Sequence, residues 1–306
     1  MSDSWGQPIA VFSTWFVCTV LASWTAALAY RALHRRLALL TPENRNALQV
    51  LIALMPVVLA GVATLWVFQP VLAFALLPEH CHGSVCSPHE PLVAIDSLGG
   101  IALTGLGALA LGCCLALFVA NLMRGRRQQQ LLDYLSRSEE GYRIVESSSL
   151  QAWCLGLWSP QVYLSSDAVK LLSPSELRVV LAHEYCHVLR RDNLRRLLLS
   201  VATLLWPPGS RRQLQRGFAL STEQVCDKGA SVAVGDSGLV SATIGRVASV
   251  QSPQVVARQQ ALHLGAVYQR ALKVWVLVAL LWAVQFIALL VAAHLLLEGL
   301  LPVESV

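Results

Sequence analysis

Residues 173–192 read Ser-Pro-Ser-Glu-Leu-Arg-Val-Val-Leu-Ala-His-Glu-Tyr-Cys-His-Val-Leu-Arg-Arg-Asp, and how this stretch folds decides how the rest is understood. It opens as a helix start. Ser173 suits the N-cap, Pro174 suits the first helical position, and Glu176 completes a capping box. Leu177, Val180 and Leu181 then supply an apolar face, which places His183, Glu184 and His187 in the third turn. Positions i and i+4 share one face of a helix, so both imidazoles can reach a single cation, and Glu184 can address a water on it. The alternative is a surface or core helix that happens to carry two histidines, and the five-residue pattern does not exclude it.

Composition sets the surroundings. Of 306 residues 55% are hydrophobic and 13% charged, against about a quarter charged in a soluble domain. With a mean hydropathy of +0.56, this is the composition of a membrane protein. Residues 8–30 carry no charged side chain, nor do 46–78, 97–123 and 274–297. Each run is long enough to cross a hydrocarbon core of about 30 Å. The first lacks a basic lead and is too long for a signal-peptide core, so it reads as a span. The expected spans are about 8–30, 47–77, 97–123 and 274–297.

The 23 Lys and Arg residues all fall in 31–45 or 124–273. The positive-inside rule then places 31–45 and 124–273 in the cytoplasm, and both termini and the loop 79–96 outside. Topology accounts for the net charge of +5, so no direct contact with nucleic acid is expected. The expected organisation is a membrane region over 1–123 with three spans, a cytoplasmic domain over 124–273, and a fourth span with a short outer tail over 274–306. The fold class is an α-helical integral membrane protein with a cytoplasmic α+β domain.

Within the domain, 128–140 reads as a polar helix. Tyr142–Glu146, Leu150–Leu155 and Gln161–Leu164 read as short strands, and 167–172 as a short helix. After the 173–192 helix comes a short apolar helix ending near Trp206, which Pro207-Pro208-Gly209 breaks; Asp192 reads as its cap. Helices over about 211–234 and 236–250 follow, and 251–270 leads back to the membrane. Glu223 begins Glu-Gln-Val-Cys-Asp, with Asp227 four residues on along the same face. Glu223 is the candidate third ligand. Asp227 is the candidate acceptor for the free ring N–H of a ligating histidine. An ordinary exposed face with two acids is the other reading.

These segments resemble the integral-membrane zinc metallopeptidases of the β-lactam-sensor and antirepressor type, a group of gluzincins related to the prenyl-protein peptidases. The resemblance rests on Gly156-Leu-Trp-Ser-Pro160-Gln-Val-Tyr-Leu164, Ser173-Pro174, Leu181-Ala-His-Glu-Tyr-Cys-His187, Arg190-Arg-Asp-Asn193 and Glu223-Gln-Val-Cys-Asp227. It covers most of 142–234. It implies a zincin domain in a bacterial inner membrane, with one Zn²⁺ per chain on His183, His187 and Glu223 and with Glu184 as catalytic base. It also implies that the strand Val162, Tyr163, Leu164 pairs with an extended peptide. The implied partner is a cytoplasmic or membrane-proximal protein substrate, with a transcriptional repressor as one candidate; a homo-oligomer is compatible. Nine residues follow Leu297, where the β-lactam sensors carry a penicillin-binding domain, so sensing by that route is not expected. A non-catalytic transducer that uses the zinc fold for docking, or a membrane quality-control protease, are the alternatives.

Tyr163, His263 and Tyr268 are candidates for a second oxyanion donor, with plain packing preferred for each. Cys186 and Cys226 read as small core residues. In the outer loop, Cys81 and Cys86 read first as a small disulfide loop and second, with His80, His82 or His89, as a metal or redox sensor.

Overall fold

A computed structural model describes residues 6–69, 81–82, 85–86, 98–247, 253–263 and 271–299. Among the described residues, four helices are long and apolar enough to cross a membrane: α1 (Gly6–Leu37), α2 (Pro42–Val67), α3 (Leu98–Leu135) and α10 (Ala271–Gly299), whose apolar part is Leu272–Ala293. α1 and α2 form an antiparallel hairpin. At its turn, Thr41 accepts a hydrogen bond from the Asn44 N–H, and Pro42 fills the first turn of α2. Cys18, Ala22, Ala60 and Ala63 are buried between the two helices, and Leu289 and Leu290 of α10 close the cluster. Small side chains permit the close approach that holds membrane helices together. α3 touches α1 where a Cβ on Gly107 would meet the rings of Phe12 and Phe16 at 3.0 and 3.1 Å. Most of its apolar surface, including Leu106, Leu109 and Leu115, is exposed.

A short antiparallel ribbon, β1 (Cys81–His82) and β2 (Val85–Cys86), sets Cys81 opposite Cys86. The side chains on which the disulfide and sensor readings depend lie outside the described residues. After α3 comes a four-stranded sheet of β3 (Ser136–Ser138), β4 (Arg143–Val145), β5 (Ala152–Leu155) and β6 (Gln161–Ser165), in the order β3-β4-β6-β5. β4 and β6 run parallel, and the other neighbours are antiparallel. The helices that follow are α4 (Ser166–Leu171), α5 (Pro174–Arg190), α6 (Asp192–Ala202), α7 (Pro208–Val234), α8 (Ser237–Val247) and α9 (Pro253–His263).

α5 is the central element. On one side Val180 packs with Leu164, Ala168 and Leu172 below the sheet. On the other Val179 packs with Ala230, Val240, Ile244 and Val255 from α7, α8 and α9. A third core joins the membrane helices to the domain: Tyr30 and Leu37 of α1 and Leu48 and Ile52 of α2 pack with Leu199, Trp206, Leu214 and Phe218. The regions expected on either side of residue 123 therefore share apolar packing.

Several boundaries differ from the expectation, each for a physical reason. α1 runs past its apolar stretch to Leu37, because a run of charges ends a span and does not end a helix. α2 begins at Pro42, fixed by its cap, and ends at Val67 with Phe68 as its C-cap; the expected span from Pro70 on lies outside the described residues. The polar helix expected at 128–140 is the continuation of α3, and β3 follows at Ser136, held by pairing with β4. The peptide-pairing role expected of Val162, Tyr163 and Leu164 requires correction. β6 is an interior strand with β4 on one side and β5 on the other. All three residues are buried. The Tyr163 ring stacks on Trp153 and its hydroxyl donates to Asp133 Oδ1 at 2.8 Å. The edge strands of the sheet are β3 and β5.

Candidate metal centre

The capping box that starts α5 is fully formed. Ser173 Oγ accepts from the Glu176 N–H, and Glu176 Oε2 accepts from the Ser173 N–H at 2.8 Å. Arg246 of α8 adds an ion pair to Glu176 at 2.7 Å. The Ser173 N–H first, then Arg246, hold the Glu176 carboxyl down at about 2.

Three turns on, His183 and His187 project from one face. Each ring is fixed by a carboxylate behind it: His183 Nδ1 lies 3.0 Å from Asp227 Oδ1, and His187 Nδ1 lies 3.0 Å from Asp192 Oδ2. An Nδ1–H given to a carboxylate leaves the Nε2 lone pair free, and both Nε2 atoms face the same point, 3.2 Å apart. Glu223 of α7 completes the group, with Oε2 3.4 Å from His183 Nε2 and Oε1 3.8 Å from His187 Nε2. The donor atoms of His183, His187 and Glu223 lie within 4.8 Å of one another. Tetrahedral zinc with bonds of about 2.0–2.1 Å sets its donors about 3.3 Å apart, so these residues fit that ion.

The electrostatics favour a cation. Burial opposes charge on His183, yet Asp227 and then Glu223 outweigh it and raise its pKa to about 10, so a metal ion at Nε2 takes the place of a proton there. Burial also works against ionised Glu223, but His183 and then Arg258 hold it at about 2. Glu184 is 8% exposed, and burial pushes its pKa up, as suits a group that takes and returns a proton.

Two residues of this constellation escaped the sequence reading. Asp192 was expected to cap α6. Instead Arg191 takes the cap position in a left-handed turn with φ +51°. That turn brings the Asp192 carboxylate back onto His187, where Arg190 and Arg195 also reach it, each at 3.3 Å. Arg190, expected on a solvated face, thus points inward. Arg258 of α9 grips Asp227 through two bonds of 2.6 and 2.7 Å and approaches Glu223 Oε2 at 3.2 Å. Its signal was available: it is the single Asp, Glu, Lys or Arg in 247–269.

A second donor group, His187, Asp192 and Cys226, lies just behind the first. Asp192 is committed there to two arginines and to His187 Nδ1, so the cation reading belongs to the first group. Cys226 is buried, with Sγ 3.4 Å from His187 Nδ1. Tyr163 points away from the centre, while the His263 side chain and Tyr268 lie outside the described residues. A cavity of about 210 Å³ opens beside His183 and Glu184. Ala152, Val179, Val180, Val240, Ile244 and Val247 line its apolar part.

Partly buried HExxH histidines, a convergent glutamate and a buried base beside an apolar cavity define a metallopeptidase-like centre. In agreement, residues 123–254 match the model of Peptidase family M48. Peptidases of that family are typically zinc-dependent, and the match supports a metallopeptidase. It contains His183, Glu184, His187, Glu223 and Asp227 and stops before Arg258. It does not single out the β-lactam-sensor type. No curated protein and no solved structure gave a match.

Proposed function

We propose that this chain is a membrane-anchored zinc endopeptidase that cleaves a cytoplasmic or membrane-proximal protein in regulated proteolysis. The observation that carries the reading is the convergence of His183 Nε2, His187 Nε2 and the Glu223 carboxylate on one point beside Glu184. Zinc held by these three residues supplies a Lewis acid that acidifies water and polarises a peptide carbonyl.

The chain's own residues supply the rest. Asp227 and Asp192 keep both histidines in the tautomer that presents Nε2. Arg258 holds Asp227 and Glu223 together. Glu184, its pKa raised by burial, takes the proton of the attacking water and delivers it to the leaving amine. The apolar cavity receives a hydrophobic substrate side chain, and the edge of β5 at Ala152, which lines that cavity, offers main-chain pairing to an extended peptide, while further along the strand the Cys154 carbonyl already accepts from Asn193 Nδ2 at 3.0 Å. The cytoplasmic placement rests on the charge map. It is supported by Lys228 of α7 meeting Glu43 of the α2 start at 2.8 Å, an ion pair that brings the two basic regions together.

The test is hydrolysis of fluorescein-labelled casein by the purified full-length chain. Glu184→Gln is expected to lower turnover about 10²–10⁴-fold while zinc stays bound. Equal turnover in wild type and variant would sink the mechanism.

A further inference from the structure

Asn46 stands in the second turn of α2, at the start of its uncharged run, and is 1% exposed. A buried primary amide has two N–H donors and one carbonyl oxygen to satisfy, and here each is matched. Nδ2 donates to Ser221 Oγ at 3.0 Å and to Thr222 Oγ1 at 2.8 Å. Oδ1 accepts from Arg190 Nη2 at 2.8 Å. The partners sit on the two helices that carry the metal donors. Ser221 and Thr222 immediately precede Glu223 on α7. Arg190 closes α5, and its Nε reaches Asp192 Oδ2 at 3.3 Å, the same oxygen that holds His187 Nδ1. Two unbroken chains of contacts therefore leave one side chain of a membrane helix. One ends at His187 and the other at the residue next to Glu223.

We propose that Asn46 is a positioning residue of the metal site, fixing the spacing between His187 on α5 and Glu223 on α7 from the membrane hairpin. The inference rests on the zinc-peptidase reading above. The surroundings make the anchor stiff. Gln49, one turn on, accepts from Ser221 Oγ at 2.9 Å. Gly217 lets α7 come so close that a Cβ there would lie 2.7 Å from Gln49 Nε2 and 2.9 Å from the Tyr30 hydroxyl. Arg45 bonds to Gln224, which in turn reaches the Ala257 carbonyl beside Arg258. A three-ligand site tolerates little change in donor spacing, so a shift of α7 against α5 registers as weaker metal binding.

The experiment uses the full-length chain in detergent micelles, with zinc affinity measured by chelator competition and ligand geometry read from the visible spectrum of the cobalt(II) form. Asn46→Ala is expected to weaken zinc binding about tenfold, near the lower end of the effect of removing a group that orients a ligand, and to alter the cobalt spectrum. Gln285→Ala removes the hydrogen bonds that α10 makes to the Ala22 carbonyl and Thr25 Oγ1 of α1, with no partner on α5 or α7. It is expected to lower thermal stability and leave zinc affinity within about twofold of wild type. Should Asn46→Ala not fold, Arg190→Gln cuts the same link from its other end and is expected to weaken zinc binding similarly. Zinc affinity unchanged in Asn46→Ala and Arg190→Gln, or equally weakened by Gln285→Ala, overturns the positioning role and reduces Asn46 to ordinary packing. A wild-type chain that binds no zinc overturns the proposed function itself, and this inference with it.

Discussion

His183 and His187 owe their usefulness to what lies behind them. An imidazole offers Nε2 to a cation only while Nδ1 carries the proton, and a carboxylate at 3.0 Å from each Nδ1 enforces this. The two carboxylates come from opposite directions, Asp227 from α7 and Asp192 from the kink after α5, so neither ring can swing without losing its partner. Replacing Asp227 or Asp192 by Asn keeps the shape but lets the amide present its N–H₂ to the ring. Each substitution is expected to weaken zinc binding about 10–100-fold, measured by chelator competition; unchanged affinity would show that the tautomer is set by other means. Glu223 and Asp227 were legible in the sequence as a spaced acidic pair on one helix. Asp192 was legible as a residue and misassigned as a cap, because a left-handed Arg191 is not written in local propensity. Arg258 was visible only as an isolated charge. Its partners are 31 and 35 residues away, a distance that no periodicity bridges.

At the scale of elements, α5 holds the centre together because its start is fixed twice, by its own capping box and by Arg246 of α8. The linkage has a definite sign. Glu176 has its folded-state pKa held at about 2, below the ordinary 4.5. Its contribution is therefore fully present above the ordinary value and is lost as pH falls towards about 2. The midpoint of thermal unfolding of the full-length chain is expected to fall with pH across that window, and to fall less steeply in Glu176→Gln. Parallel pH profiles for the two proteins would contradict the assignment. α5 could be read from sequence end to end because its cap, apolar face and motif are all local. The strand roles could not. Gln161–Leu164 was recognisable as a strand, but whether it lay inside the sheet or at the edge depends on β4 and β5 pairing with it. The edges fell to β3 and β5.

For the whole molecule, the charge map and the packing point to the same arrangement. Basic residues are confined to 31–45 and 124–273, and those two regions are in direct contact through Glu43 and Lys228 and through the core that Leu33 and Leu37 share with Leu214 and Phe218, with Asn46 meeting Arg190 just beyond. Among the described residues four long apolar helices suggest association with a membrane, and the sequence foretold them because length and apolar composition are local properties of a run. That the α1–α2 hairpin is also a structural part of the metal centre was not legible: the amide of Asn46 becomes informative only when 144 and 175 residues of separation close upon it. The central claim is that His183, His187 and Glu223 hold a zinc ion. Metal content of the purified full-length chain, measured by mass spectrometry after zinc loading and removal of excess, tests it most directly. About one zinc per chain is expected in wild type and in Glu184→Gln, with loss of most of it in His187→Ala. A wild-type chain without zinc, or undiminished zinc in His187→Ala, would contradict the account.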